Sequence, residues 1–243
     1  GHNEAANLMP FMKRMGTLLL EHHPDARVWI SLQGFTPKSV EDFFSYVNEH
    51  NPDWLGGVVM GPGSPPLEVT RKLLPARYAQ RWYPDITHIV RCQYPVPWLE
   101  PAWGLTIGRE PVNPRPTDYT AIYRDGYRFT NGFLTYSDGI HDDFNKTLWS
   151  QLGWNPDRDP REIAIEYARF FFRPDLATAG ADAIFALETN LRGSLAHNSS
   201  VDGTLLLWQH LETAMKTSPA SWRFDIHLMR AYYDAYTRQR LLY

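Results

Sequence analysis

The amino-acid sequence predicts an α/β chain in which a series of β-then-α units is followed by an all-helical tail. Three observations carry this expectation. Over residues 1–156, short apolar runs alternate with amphipathic stretches, the order that parallel sheets with crossover helices require. Over 157–243, apolar side chains instead fall at helical spacing, after the break Trp154-Asn-Pro-Asp-Arg-Asp-Pro160. At 243 residues, with 43% hydrophobic and 21% charged side chains, the chain is long enough for one sizeable core and a smaller second one.

In order along the chain, Glu4 to His22 carries Leu8, Met9, Phe11, Met12, Met15, Leu18 and Leu19 close to helical spacing, with Asn3 as a cap, and Pro24-Asp25 ends the helix. Arg27 to Phe35 has the apolar density of a strand covered on both faces, and Ser39 is placed to cap a helix from Val40 to His50. The unit repeats as a strand over Trp54 to Met60, a tight loop from Gly61 to Pro66 and a helix over Leu67 to Leu74. A third strand is read at Ile86 to Tyr94. From Pro95 to Tyr127 the alternation stops in a stretch rich in Pro, Trp, Tyr and Arg, the mark of a long functional loop. Phe133 to Tyr136 is the fourth strand, followed by a helix from Asp143 to Leu152. The tail then predicts helices over Arg161 to Phe172, Leu176 to Leu191, Thr204 to Lys216 and Ser221 to Leu242, the last burying Tyr232, Tyr233 and Tyr236. Trp149, Trp208 and Trp222 fall in helices and are read as core.

Two closures suit four parallel strands. A doubly wound sheet announces itself by a Gly-rich phosphate turn, but Gly61-Pro62-Gly63 runs into Ser64-Pro65-Pro66, and no P-loop lysine is present. A (β/α)8 barrel uses eight strands over about 250 residues. The expectation is therefore a partial (β/α)8 TIM-type barrel, its later strands, over 1–156, with an α-helical C-terminal subdomain over 157–243. The start at Gly1-His2-Asn3, directly before a helix and without an initiator Met, is read as the loss of an upstream part and of any export signal with it; secretion or a periplasmic location would follow from such a signal.

A net charge of -3 supplies no field for gripping phosphates, so nucleic acid is not an expected partner. The single cysteine, Cys92, lies in an apolar-flanked run and reads as a buried thiol. No apolar run approaches the roughly 18 residues of a membrane span, so no membrane partner is expected either. Oligomeric state is not legible.

The stretch that carries chemistry is Gly132-Phe-Leu-Thr-Tyr-Ser-Asp-Gly-Ile-His-Asp-Asp-Phe-Asn-Lys146. An apolar strand ends in turn residues, and polar side chains crowd the start of the next helix, which is where parallel α/β folds keep their sites. Tyr136-Ser-Asp-Gly-Ile-His-Asp-Asp-Phe-Asn-Lys146, with Trp149, Trp154-Asn-Pro-Asp157 and Glu166-Tyr-Ala-Arg-Phe-Phe-Phe172, resembles a pattern in bacterial glycoside-hydrolase-like proteins. Pro84-Asp-Ile-Thr-His88, Cys92-Gln-Tyr-Pro95 and Gly108-Arg-Glu-Pro111 are similar to the same group. The resemblance implies a catalytic barrel akin to those of α-glucuronidases and β-hexosaminidases, a helical C-terminal region and hydrolysis of glycosidic bonds in an oligo- or polysaccharide. In that pattern the position of Asp138 is more often Glu, so Asp would draw the carboxylate back by about one methylene, a displacement on the scale that matters in catalysis.

Glycoside hydrolysis uses two carboxyl groups roughly 5 to 9.5 Å apart. Asp138 and Glu110 are the candidate catalytic pair, although Asp138-Gly139 is also an ordinary turn and Glu110 also suits an ion pair with Arg109. Sugars present apolar faces and polar edges, so Gln33, Tyr94, Trp98, Arg109, Tyr136, His141 and Asp142 are the candidate substrate-binding residues. Trp103, Gln93 and Asn113 stand in the same zone. Arg115, like Arg109, could hold an acidic sugar or anchor the loop. Asp142 and Asp143 also sit where a helix favours an N-cap and negative charge. No cofactor and no metal are expected: His2, His88 and His141 lie on separate elements, without HxH, HExxH or Cys/His spacing. Ser137 lacks a nucleophile elbow, and Cys92 sits inside a predicted strand. The alternative reading is a barrel-derived module that binds glycan without a catalytic pair.

Overall fold

The computed structural model describes residues 5–87, 93–96, 113–137, 142–219 and 221–243. The chain divides into two compact units, Gly1–Asp85 with Asp125–Tyr136, and Ile86–Arg124 with Ser137–Tyr243. The division differs from the expected boundary at 156/157: residues 86–124 and the helix that follows the fourth strand both fall in the second unit.

The first unit holds α1 (Ala5–His22), β1 (Val28–Ser31), α2 (Pro37–His50), β2 (Leu55–Met60), α3 (Leu67–Leu73) and β3 (Ala79–Trp82). The three strands are parallel in the order β1-β2-β3, with Ile30 beside Val58 and Val58 beside Gln80. Residues 131–136 run alongside β3. Asn131 N–H donates to Gln80 O at 2.8 Å, Trp82 N–H to Gly132 O at 2.9 Å, Leu134 N–H to Trp82 O at 2.9 Å and Tyr136 N–H to Pro84 O at 2.9 Å, a parallel ladder in which Trp82 bridges Phe133. Farther along the same two segments, β4 (Asp85–Thr87) and β5 (Tyr136–Ser137) pair with each other. The architecture is α/β with parallel strands, and the described strands do not close into a barrel.

Side chains alternate across a strand, so each strand offers one row to each face. Ile30 and Leu32, with Val58 and Met60, form the apolar row, packed with Met9 of α1 and Phe43, Phe44 and Val47 of α2 in one core. The alternating row, Trp29, Ser31, Val59, Arg81 and Tyr83, is half-buried or exposed. Helix α2 starts where the chain chemistry demands: Pro37 needs no amide partner in the first turn, and Thr36 Oγ1 accepts from Ser39 N–H at 3.2 Å. The cap is thus Thr36 and not the expected Ser39, whose hydroxyl instead accepts from Ala5 N–H at 3.3 Å.

Two of the expected segments are also corrected. The third strand of the sheet is Ala79–Trp82, not Ile86 to Tyr94; of that span the described residues are strand only over Ile86 and Thr87, the end of Asp85–Thr87. Ala-Gln-Arg-Trp does not read as a buried strand because its Gln and Arg hide the pattern, yet Gln80 is buried, its Nε2 donating to Leu67 O at 2.8 Å and Phe129 O at 3.2 Å. The expected structureless stretch to Tyr127 contains a helix, α4 (Pro116–Gly126).

The second unit is helical: most of α4, then α5 (Asp143–Trp154), α6 (Pro160–Phe171), α7 (Ala177–Thr189), α8 (Ser200–Met215) and α9 (Trp222–Leu242). Trp149 is fully buried, with Tyr119 and Tyr123 edge-on to it at 6.1 and 5.2 Å. Glu188 of α7 caps α4, accepting from Thr117 N–H and Asp118 N–H at 2.9 Å each and so satisfying two donors that a helix start leaves open. Burial pushes the Glu188 carboxyl up, against the pull of those amides. Trp208 is core as expected. Trp222 is exposed, and so are Tyr232 and Tyr236; the face of α9 that is buried carries Phe224, His227, Arg230, Ala231 and Asp234. Arg230 Nε donates to Asp234 Oδ1 at 2.6 Å and Asn190 Nδ2 to Asp234 Oδ2 at 2.8 Å, so the charge on this face is paired.

Candidate functional site

Neighbouring parallel strands bring their carboxyl ends to one edge of a sheet. In the first unit that edge carries Gln33 just after β1, Gly61 just after β2, Tyr83 just after β3, and Tyr136. A Cβ on Gly61 would lie 1.8 Å from Gln33 Nε2 and 2.7 Å from Tyr83 Cδ1. The Gln33 amide therefore lies on the Gly61 backbone beside the Tyr83 ring, an approach that only glycine permits. The following turn is closed on itself: Gly61 N–H donates to Ser64 Oγ at 3.0 Å and Ser64 N–H to Gly61 O at 3.1 Å. The Tyr83 and Tyr136 rings meet edge to face, 6.3 Å apart at 73°. Tyr136 is 37% and Leu134 73% exposed.

Towards the start of the strands, the Trp29 ring covers Gly57, and the Arg81 guanidinium stacks 4.0 Å from the Trp29 centroid. Beyond Tyr83, continuing the register from Trp82 beside Phe133 sets Asp85 beside Tyr136; Asp85 is 4% exposed. The edge thus combines two tyrosine rings, a positioned carboxamide and a carboxylate. Rings cover the apolar faces of a sugar, while amides and carboxylates meet its hydroxyls.

Of the predicted substrate-binding residues, Gln33 and Tyr136 come together on this edge. Tyr94 and Asp142 belong to the second unit. Tyr94 is half-buried, and its carbonyl accepts from Arg115 Nη1. The Arg115 guanidinium also reaches Asp118 Oδ2 from Nη2 at 3.1 Å and covers the Tyr119 ring at 4.6 Å. It anchors its own segment, the second of its two expected roles. Asn113, buried nearby, receives Asn145 Nδ2 on its carbonyl at 3.1 Å. Asp142 is fully buried at the N-cap position of α5, but its side chain makes no capping hydrogen bond. Asp143 is held in structural contacts, accepting from Arg223 Nε at 2.6 Å, Arg223 Nη2 at 3.0 Å and Tyr167 Oη at 2.9 Å. Burial first, and the Asp143 charge second, push the Tyr167 phenol well above its ordinary range.

Asp138, Glu110, Trp98, Arg109 and His141 lie outside the described residues, as do Trp103, Cys92, His2 and His88. Sequence reading missed Tyr83 and Asp85. The available signal was the pair of prolines Pro75 and Pro84, which bracket a segment of strand length ending in Trp82-Tyr83. Among the described residues no three His, Cys, Asp or Glu side chains gather as a metal ion would require, and no helix is long and apolar enough to cross a membrane. In the second unit a hollow of about 440 Å³ is lined by Thr117, Asp182, Phe185, Glu188 and Thr204 among others. Its two carboxylates are already engaged, Glu188 by α4 and Asp182 by Arg161 at 2.7 Å.

Comparison with protein-family models, curated proteins and solved structures finds no match for this chain.

Proposed function

We propose that the chain is part of a carbohydrate-active, glycoside-hydrolase-like protein whose sugar site lies at the carboxyl edge of the parallel strands. The observation that carries this reading is the way the sheet is wound. The strands lie in sequence order, and α1 and α2 share one core with a single row of β1 and β2 side chains. Right-handed crossovers that always step in one direction keep their helices on one side, whereas a doubly wound sheet reverses direction and covers both. A wall of a (β/α)8 barrel is wound in this way, as is each half of a doubly wound sheet, so the winding fits the later strands of such a barrel, whose sites lie at strand ends. The edge with Gln33, Tyr83 and Tyr136 is such a set of ends.

In this reading Asp138 and Glu110, both outside the described residues, supply the paired carboxyl groups of glycosidic hydrolysis, one as proton donor and the other as nucleophile or base. The test is a thermal melt of the 243-residue chain with neutral, amino and uronic sugars. A saturable rise in melting point with one sugar class, lost in Tyr136→Ala, is expected; identical melts across the whole panel would remove the reading. Binding without turnover, unchanged in Asp138→Asn and Glu110→Gln, would instead favour a glycan-binding module that lacks a catalytic pair.

A further inference from the structure

We propose that α9 pairs antiparallel with the α9 of a second copy of this chain, through the face that its own copy leaves open. The proposal is independent of the sugar-site reading.

Helix α9 carries two stripes. One is buried and holds Phe224, His227, Arg230, Ala231 and Asp234. The other advances by three and four residues in turn, through Trp222, Asp225, Met229, Tyr232, Tyr236 and Gln239, which sets all six along one line, the spacing of a seam between two helices. This second stripe is open. Trp222 is 43%, Met229 50%, Tyr232 40% and Tyr236 62% exposed, and Asp225, Gln239 and the neighbouring Arg240 are exposed as well. Two of its rings are nevertheless held in place: Tyr232 Oη donates to Glu212 Oε2 at 2.7 Å, and the Arg223 guanidinium, itself bound to Asp143, lies 4.1 Å from the Trp222 centroid. Fixed Trp and Tyr rings make good interface anchors, because they have little freedom left to lose on binding. The rings and the thioether leave on the order of 100 Å² open apiece. With the polar positions the face amounts to about 600 Å² per copy, or about 1,200 Å² in a pair, the low end of specific interfaces.

Charge selects the occupant and its direction. The stripe has a carboxylate near its start, Asp225, and a guanidinium near its end, Arg240, about 22 Å apart along the axis. Neither side chain has an ion-pair or hydrogen-bond partner among the described residues, and the Tyr236 hydroxyl has none either. A parallel second α9 would set Asp225 on Asp225 and Arg240 on Arg240. An antiparallel one sets acid against base at both ends, since a two-fold interface makes each contact twice. With Met229 beside the second copy's Tyr232, Asp225 falls beside the second copy's Tyr236 hydroxyl, with Arg240 one turn on, and Trp222 falls beside Gln239. Sulfur then meets a ring, and a carboxylate meets a phenol and a guanidinium. A stripe whose two ends complement each other is satisfied by a copy of itself.

The test is sedimentation of the 243-residue chain over a range of concentrations, for the natural chain and for Met229→Glu, Asp225→Arg, Arg240→Asp and the double charge variant. The natural chain should dimerise reversibly at about micromolar concentration. Met229→Glu and each single charge variant should weaken the dimer by about tenfold or more, because each sets a charge against a ring or a like charge. The double charge variant should recover the dimer. An equal mixture of Asp225→Arg and Arg240→Asp should form a mixed dimer, in which acid again meets base at both ends. These two rescues keep the test readable where a single variant melts lower than the natural chain. A dimer that Met229→Glu leaves intact, or charge variants that neither pairing nor mixing rescues, would overturn the proposal. A monomer at every concentration would overturn it too, and leave the stripe to a partner of another kind.

Discussion

Replacing Gly61 by alanine tests whether the strand-end edge is packed as described. The new methyl would fall 1.8 Å from Gln33 Nε2, where non-bonded contact needs about 3.5 Å, so the amide must retreat by roughly 1.7 Å. The Tyr83 ring, at 2.7 Å, must give by about 0.8 Å. Overpacking of this kind typically costs about 1 to 3 kcal/mol. Gly61 is not among the residues with positive φ, so alanine fits its backbone and the stiffer unfolded chain returns about 0.4 to 1 kcal/mol. The expected net loss is about 1 to 2 kcal/mol, a fall in Tm of about 2 to 8 °C. On the proposed sugar site, affinity should fall tenfold or more, since a positioning group has moved by more than about 1 Å. The assays are thermal melts and calorimetric titration of Gly61→Ala, Gln33→Ala and the double variant. Because Gln33→Ala removes the atom that clashes first, the double variant should be more stable than the sum of the single effects predicts, by about 1 kcal/mol. Strict additivity, or a Gly61→Ala chain that melts and binds as the natural one does, would refute the packing argument.

At Gly57 a Cβ would lie 2.0 Å from the carbonyl oxygen of Ala79, a backbone atom fixed by the ladder. Gly57→Ala should therefore cost about 3 kcal/mol or more in urea melts, whereas Gly203→Ala, in α8 with nothing within 4 Å, should stabilise by about 0.5 to 1 kcal/mol. The buried His227 imidazole, held between Trp208, Phe172 and Tyr167 with Nδ1 bonded to the Arg223 carbonyl at 2.6 Å, has its pKa pushed down by burial to about 4. The unfolded chain takes up that proton first, near the ordinary value of about 6.5. Its contribution to stability is therefore present in full above about pH 6.5 and is lost as pH falls towards about 4, by on the order of 3 kcal/mol. His227→Phe should flatten urea-melt stability over that interval, and equal slopes in the two chains would contradict the assignment.

How far the structure was legible depends on what pattern each segment shows. The first two β/α units could be read because Val28 to Leu32 and Leu55 to Met60 are dense in apolar residues and their helices are marked by Thr36-Pro37 and by the Gly61 to Pro66 turn. The third strand could not, since its side chains include Gln and Arg, which remove the apolar run that signals a strand. Helix α4 was hidden by its prolines. Pro116 opens the helix where a missing N–H costs nothing, yet in the sequence it looks like one more break in a Pro-rich stretch. In the tail, spacing placed the helices well and their buried faces badly. The tyrosines of α9 repeat at helical intervals, but the buried face is set by the Arg230 and Asp234 pair, whose mutual neutralisation no hydrophobic pattern reveals. The same holds at the candidate site. Gln33 and Tyr136 were found because they end apolar runs, while Tyr83, just past β3, was passed over with that strand.

That blind spot follows from the winding of the sheet. A strand covered on both faces advertises itself by continuous apolarity, and a strand with one face turned to a site alternates. β2, nearly all apolar, turns Gly57, Val59 and, just past its end, Gly61 to the face opposite α1 and α2, and the two glycines are the floor on which Trp29 and Gln33 lie. β1 and β3 contribute the side chains that lie over that floor or stack across it. The division of labour among the strands means that the most legible strand brings the fewest polar and aromatic side chains to this edge, and the least legible one, β3, with Arg81 and the adjoining Tyr83, brings the most.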